Sequence, residues 1–228
     1  MLGSIAATLQ DNSTHGEDNY LIRDLGNNAF LDAVMDGVTG HGGEEASRSV
    51  VDALAAASLK SPEDVIGLLE KVNEEFYQVG GGRFLLTTVS VALYLDDRLY
   101  VIGAGDSPVF HIGPDSSQQF SGRVGGFLHV GVAQAVGARE RLNNLARAEV
   151  AIEPSSRLVL ATDGVTDNVQ AGELADAVRA ATSPEEAAER LDSIVASRLE
   201  EGRVPEQLGR RFRHDDRTAI FRFFRPAR

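Results

Sequence analysis

Groups of strands and pairs of helices alternate along this 228-residue sequence, and that order constrains the fold more than any other feature. Apolar runs joined by turn residues predict strands before residue 37, over 85–112, over 147–161 and after 217. Apolar stripes at helical spacing predict helices over 44–59, from Ser61 onward, over 171–181 and over 184–200. Hairpins separated by helix pairs indicate an α+β fold, a four-layer α-β-β-α sandwich with two central, mainly antiparallel sheets. A doubly wound sheet would need single helices between strands.

The chain shows neither a repeat nor a linker, so residues 1–228 are expected to form a single domain. Residues from about 113 to 147 are rich in Ser, Gln and Gly and show little periodicity. They predict a short insertion into the domain.

Composition narrows the classes of partner. The formal net charge is −12, which argues against nucleic acid or an anionic membrane as the main partner and is compatible with cation binding. The chain has no cysteine, so disulfides and thiolate metal sites are excluded. Because no long apolar run and no leader-like segment is present, we expect a soluble, cytoplasmic protein, and we expect a monomer.

Acidic residues follow or precede the predicted core strands. The run AFLDAVM ends in Asp36-Gly37, LVLAT ends in Asp163-Gly164, and Asp215 stands just before the last strand. An Asp before Gly is usually a turn residue, because Asp bonds its own backbone and Gly accepts a positive φ. The alternative is a cation site, since carboxylates from adjacent strand ends can converge on Mg²⁺ or Mn²⁺, which prefer oxygen ligands. Spacing alone does not decide between the two.

Six short motifs favour the cation site. In order along the chain they are EDN (17–19), MDGVTGHGG (35–43), LTTVSVAL (86–93), GAGDS (103–107), LVLATDGVTD (158–167) and DDRTAI (215–220). In order and spacing they resemble the metal-dependent protein serine/threonine phosphatases of type 2C, the PPM family. TDGVTD and DDRT also resemble the related sporulation and stress-regulator phosphatases, whereas EDN favours type 2C proper.

The resemblance implies a central β-sandwich flanked by helix pairs, a flap-like character for the insertion at 113–147, and two Mg²⁺ or Mn²⁺ ions per chain. It also implies a phosphorylated protein as substrate. By motif, Asp36 is similar to the carboxylate that bridges the two ions and Gly37 to a backbone carbonyl ligand. By the same resemblance, Asp163 and Asp215 are further ligands of one ion. Glu17 and Asp18 are catalytic residues that hold metal-bound water, so that Asp18 also belongs to the metal centre. Asp106 is part of a third, weaker metal site.

The sequence departs from the family pattern at the phosphate-binding position. Bacterial members have an Arg four residues before the Glu of EDN, and here that position is Ser13. Pro108 also stands where Arg is common. His15 is close enough in sequence to replace the missing Arg, and Arg48, Arg83 or Arg123 are alternatives that could fold over the metals.

The implied reaction is hydrolysis of a phosphomonoester by a water that the two cations activate. His41 is the candidate general acid for the leaving oxygen, because imidazole titrates near the working pH, although a solvated loop histidine is nearly as good an interpretation. His15, His111, His129 and His214 are expected at the surface. A phosphatase-like regulatory or binding module with weak or no catalysis is the alternative function, favoured by Ser13 and Pro108.

Overall fold

A computed structural model describes residues 2–121, 135–143, 145–202 and 214–226 of the chain. In this part of the chain ten strands form two five-stranded sheets. The first sheet has the order β1 (Leu2–Asp11), β10 (Arg217–Pro226), β9 (Arg157–Ala161), β6 (Val109–Ile112) and β7 (Ser117–Gln119). The second has the order β2 (Asn19–Gly26), β3 (Ala29–Met35), β4 (Val89–Leu95), β5 (Arg98–Ala104) and β8 (Ala146–Ala151). Every pairing is antiparallel, which confirms the predicted fold class.

Helices cover the outer faces of both sheets. Helices α1 (Gly43–Ala56) and α2 (Pro62–Gly80) share an apolar core with the second sheet, and α4 (Ala171–Ala180) and α5 (Pro184–Glu201) share one with the first. A single-turn helix, α3 (Asp163–Thr166), follows β9. The Ser-Pro starts of α2 and α5 behave as their sequences predict, because Ser61 and Ser183 each accept a hydrogen bond from the backbone two or three residues into the helix.

A third core lies between the two sheets. Phe30, Tyr94 and Phe224 stack there with ring centroids 5.2 to 5.9 Å apart. Two hairpin turns, at Asn27-Asn28 and Asp96-Asp97, have positive φ at both central residues, the geometry that matches the twist of paired strands. These turns join β2 to β3 and β4 to β5 within the second sheet.

A buried ion pair crosses the interior of the sandwich. Arg222 on β10 donates two hydrogen bonds to the carboxylate of Asp32 on β3, at 2.6 and 2.7 Å, and a third to Ser4 Oγ at 2.9 Å. The Asp32 side chain is fully buried, and the guanidinium lies 3.8 Å from the centroid of the Phe30 ring. Neither strand's sequence pattern predicts this pair.

The structure differs from the sequence prediction at several element ends. The strand expected from Leu85 begins at Val89, because Leu85 has a φ of +56° and Leu86 bonds to the loop at His41. The helix predicted to Leu59 ends at Ala56. Within the predicted insertion, Ser117–Gln119 form an edge strand, and much of the remainder lies outside the described residues.

Candidate active site

Both sheets deliver acidic residues to one edge of the sandwich. Strand β3 ends at Met35 and Asp36 follows, while β9 ends at Ala161 and Asp163 begins α3. Strand β10 pairs antiparallel with β9, with Ala219 opposite Ala161, so Asp215 before β10 lies near Asp163 after β9. Residues 12–18 run from β1 in one sheet to β2 in the other, which brings Glu17 and Asp18 across the same edge.

The carboxylates at this edge affect one another strongly. Burial raises the pKa of Asp36 well above its usual range, and the charges of Asp163, Asp18, Asp106 and Asp215 raise it further. Burial likewise raises the pKa of Asp163 to about 6. The side chains of Asp36 and Asp163 are close enough to share a hydrogen bond. Like charges that are taken out of water together favour protonation unless a cation compensates them.

Asp18 is the most deeply buried acid of this edge, with 1% of its surface exposed. Its Oδ2 accepts a hydrogen bond from the Thr162 hydroxyl at 2.7 Å. Burial raises the pKa of Asp18 to about 7, although that hydrogen bond lowers it. Asp18 therefore connects the loop before β2 to the end of β9.

Backbone and hydroxyl contacts fix Asp36 and Gly37. The Asp36 amide donates to Thr88 Oγ1 at 3.1 Å, and its carbonyl accepts from Thr87 Oγ1 at 2.9 Å and from the Thr88 amide at 2.8 Å. Gly37 lies against Gly43 at the start of α1, where an added Cβ would come within 2.4 Å of the Gly43 carbonyl carbon. Only a residue without a side chain permits this approach of two backbones.

Glu17 is held by the Gly-rich loop. The Thr39 hydroxyl donates to Glu17 Oε2 at 2.5 Å, and the Glu17 carbonyl accepts from the Gly37 amide at 3.2 Å and from Ser47 Oγ at 2.6 Å. Glu17 thus faces the segment that carries Asp36. The structure places every acidic residue singled out by the sequence analysis at this edge.

Asp216 is a functional candidate that the sequence analysis did not single out. Its Oδ1 accepts from the amides of Thr14 at 3.1 Å and His15 at 2.9 Å, and its Oδ2 accepts from the amide of Glu17 at 2.7 Å. Asp216 is buried and fastens the acidic loop 12–18 to the start of β10. The sequence signal for Asp216 was the pair of aspartates before the last strand. Only Asp215 was needed as an ion ligand, so Asp216 was available for another role.

His15 lies at the site rather than apart from it, although it is exposed as predicted. Its Nδ1 is 3.1 Å from Oδ1 of Asp215. His41 Nδ1 donates to the Arg83 carbonyl oxygen at 2.7 Å, which leaves Nε2 as the ring atom that can exchange a proton.

The structure describes three of the remaining candidate residues at or near the surface and one half-buried. His111 is half-buried against Ser156, contrary to its predicted surface position, and desolvation lowers its pKa, whereas His214 is exposed. Ser13 is exposed, and Arg48 pairs with Glu44 on the surface of α1. His129 and Arg123 lie outside the described residues.

The donor set suits hard divalent cations, because it consists of carboxylates and backbone carbonyls. Within residues 2–121, 135–143, 145–202 and 214–226, no three acidic or histidine side chains are already arranged to hold an ion. Mg²⁺ itself commonly keeps several waters and uses only one or two carboxylates. In the same part of the chain no helix is long and apolar enough to cross a bilayer.

Solved structures of bacterial phosphatases share this fold. Serine/threonine phosphatase Stp1 from Staphylococcus aureus is 20% identical with a TM-score of 0.76, over 96% of this chain and 94% of its own. The catalytic domain of PstP, solved with two manganese ions, is 19% identical with a TM-score of 0.74, over 99% and 100%. RsbX in complex with magnesium is 15% identical with a TM-score of 0.70, over 98% and 95%. At these identities the likeness establishes the fold.

Sequence comparison assigns the family. No curated protein matches the chain. The model of Stage II sporulation protein E (SpoIIE) matches residues 29–222, which confirms the resemblance to the PPM phosphatases and agrees with the likeness of TDGVTD and DDRT to the sporulation phosphatases. Because this model matches most of the chain, and because the chain has the sandwich fold of the PPM phosphatases, this chain belongs to the SpoIIE family.

Proposed function

We propose that this protein hydrolyses phosphoserine and phosphothreonine in proteins with the help of Mg²⁺ or Mn²⁺. One observation carries the proposal: aspartates from separate elements of both sheets crowd at one edge, and burial and repulsion raise the pKa of Asp36, Asp18 and Asp163. Such a cluster is unfavourable without a compensating cation. The manganese in PstP and the magnesium in RsbX support the same class of ion.

The proposed ligands are Asp36, the Gly37 carbonyl, Asp163 and Asp215 for two cations, and Asp106 for a weaker third. When bound, the cations would supply an activated water and neutralise charge on the phosphate. Glu17 and Asp18 are oriented by the Thr39 and Thr162 hydroxyls, and their remaining oxygen lone pairs would accept hydrogen bonds from water held by the cations.

We assign roles in proton transfer and in phosphate binding to two histidines. His41 is held at Nδ1 by the Arg83 carbonyl, so its Nε2 would donate the proton to the leaving serine or threonine oxygen. His15, beside Asp215 and two residues from Ser13, is our candidate to contact substrate phosphate in place of the missing Arg. We therefore assign His41 to catalysis and His15 to phosphate binding.

The test is hydrolysis of p-nitrophenyl phosphate and of phosphothreonine peptides by the purified chain. We expect turnover with Mn²⁺ or Mg²⁺ and loss of turnover in EDTA, restored by excess metal. Full activity in EDTA would refute the metal requirement. No turnover of any phosphoester with either ion would favour the regulatory or binding module, which the exposed Ser13 at the phosphate-binding position supports.

A further inference from the structure

Two strongly exposed apolar side chains stand at the end of α2 and just after it. Val79 is 73% exposed and Phe84 is 59% exposed. The other large exposed hydrophobic residues of the described chain, Ile5 and Ile22, are 36% and 38% exposed. Single exposed apolar residues need no explanation, but a pair beside a candidate active site does.

The chain reverses between these two residues and brings Phe84 back to the helix. Gly81 and Gly82 have φ values of +56° and +82°, and a Cβ added at Gly80 would lie 2.7 Å from the Cβ of Phe84. Phe84 therefore lies against Gly80, the residue that follows Val79 in the chain, while much of its side chain faces solvent. We call Val79 and Phe84 the α2-end patch.

The segment that carries Phe84 is also the one that holds the Gly-rich loop. The preceding residue, Arg83, accepts the hydrogen bond from His41, and Leu86 bonds to His41 and Val38 through its amide and carbonyl. Between them Leu85 has a φ of +56°, an unfavourable conformation for a residue with a side chain. Such strain persists where surrounding contacts impose it, often beside functional sites.

Few residues separate the α2-end patch from the position proposed for the phosphate. Thr87 and Thr88 hold the Asp36 carbonyl, and Thr88 is four residues after Phe84. Four residues span at most about 14 Å, so Phe84 lies within about that distance of Thr88, and three or four residues of an extended peptide span a comparable length.

We propose that the α2-end patch binds an apolar side chain of the protein substrate, three or four residues from the phosphorylated residue. This inference rests on the proposed function. A substrate peptide is the occupant that the patch fits, because two side chains offer far less than the roughly 800 Å² per partner of a stable protein interface. Phe84 instead directly follows Arg83, whose carbonyl contacts the candidate general acid His41.

The experiment compares phosphoserine peptides that differ at one position. Leu or Ser is placed three or four residues before or after the phosphoserine, and kcat/KM is measured with Mn²⁺ for wild type, Phe84→Ser, Phe84→Leu and Ile22→Ser. Hydrolysis of p-nitrophenyl phosphate is measured in parallel, and sedimentation velocity reports the oligomeric state.

In wild type we expect Leu at one of these positions to raise kcat/KM about fivefold over Ser. Phe84→Ser should remove that preference without changing p-nitrophenyl phosphate hydrolysis, whereas Phe84→Leu and the control Ile22→Ser should keep it. A wild type without preference, or a preference that survives Phe84→Ser, overturns the inference while leaving the proposed function intact. A change of oligomeric state in Phe84→Ser would assign the patch to contact between copies and also overturn it. Absence of any p-nitrophenyl phosphate hydrolysis would instead refute the proposed function and the inference with it.

Discussion

At the scale of single residues, the acidic edge makes the metal-free protein sensitive to pH. The pKa of Asp18 rises from 3.8 to about 7 and that of Asp163 to about 6 in the folded chain. A raised folded pKa gives stability that is present below the unfolded pKa and is lost as pH rises through the folded one. In EDTA, the melting temperature should therefore fall between about pH 4 and about pH 7.

Asp163→Asn tests whether repulsion between the carboxylates causes this loss of stability as pH rises. The variant removes one repelling charge, so in EDTA its melting temperature should equal or exceed that of wild type at pH 7, with little difference near pH 4. Asp36→Asn should behave similarly, and both variants should lose at least about 100-fold in activity with Mn²⁺. A melting temperature lowered equally at every pH would identify these aspartates as structural turn residues.

Ser13 occupies the position at which the family pattern has a phosphate-binding Arg. An Arg at this position would offer a planar, bidentate fork that His15 cannot reproduce. Ser13→Arg should therefore lower the Michaelis constant for p-nitrophenyl phosphate about 3- to 10-fold with a smaller change in kcat. His15→Ala should raise the same constant. A Ser13→Arg protein no better than wild type would show that another group already grips the phosphate.

At the scale of elements, the Asp32–Arg222 pair joins one sheet to the other. Removing one partner of a buried ion pair leaves the other charge uncompensated, which typically costs about 3–5 kcal/mol. We expect Asp32→Ala to lower the free energy of unfolding by about that amount in urea titrations. The double variant Asp32→Leu, Arg222→Met should recover most of the loss, because apolar replacements of similar volume need no partner.

A double variant as unstable as Asp32→Ala would contradict this interpretation of the pair. It would mean that the hydrogen bond to Ser4 and the contact with the Phe30 ring contribute more than charge compensation does. A conserved m-value is the control, since a changed slope would indicate a different unfolded or native state.

Strand and helix order could be predicted from the sequence because apolar periodicity and Ser-Pro starts are local signals. The strand after Gly82 begins late for a reason that periodicity does not reveal. The backbone of Leu86 hydrogen-bonds to His41 and Val38, that of Thr87 to Val136, and the Thr88 amide to Asp36. Asp216 was missed for a similar reason, because its three amide donors lie about 200 residues away in the chain.

At the scale of the whole molecule, two antiparallel sheets face each other so that their strand ends meet at one edge. The motif order predicted which acids would gather there, and the structure brings Glu17, Asp18, Asp36, Asp163 and Asp215 to that edge. Buried partners such as Arg222 for Asp32 could not be predicted, because the pairing depends on how one sheet lies over the other.

The most direct test of the account is calorimetric titration of the metal-free chain with Mn²⁺ at pH 7. We expect saturable binding of two ions per chain by wild type, accompanied by proton release because the raised pKa values of Asp18 and Asp163 leave protons to displace. Asp36→Asn, which removes the proposed bridging carboxylate, should lose most of this binding while keeping its fold by circular dichroism. Equal Mn²⁺ binding by wild type and Asp36→Asn, or no binding by either, would contradict the assignment of this edge as a metal-dependent phosphatase centre.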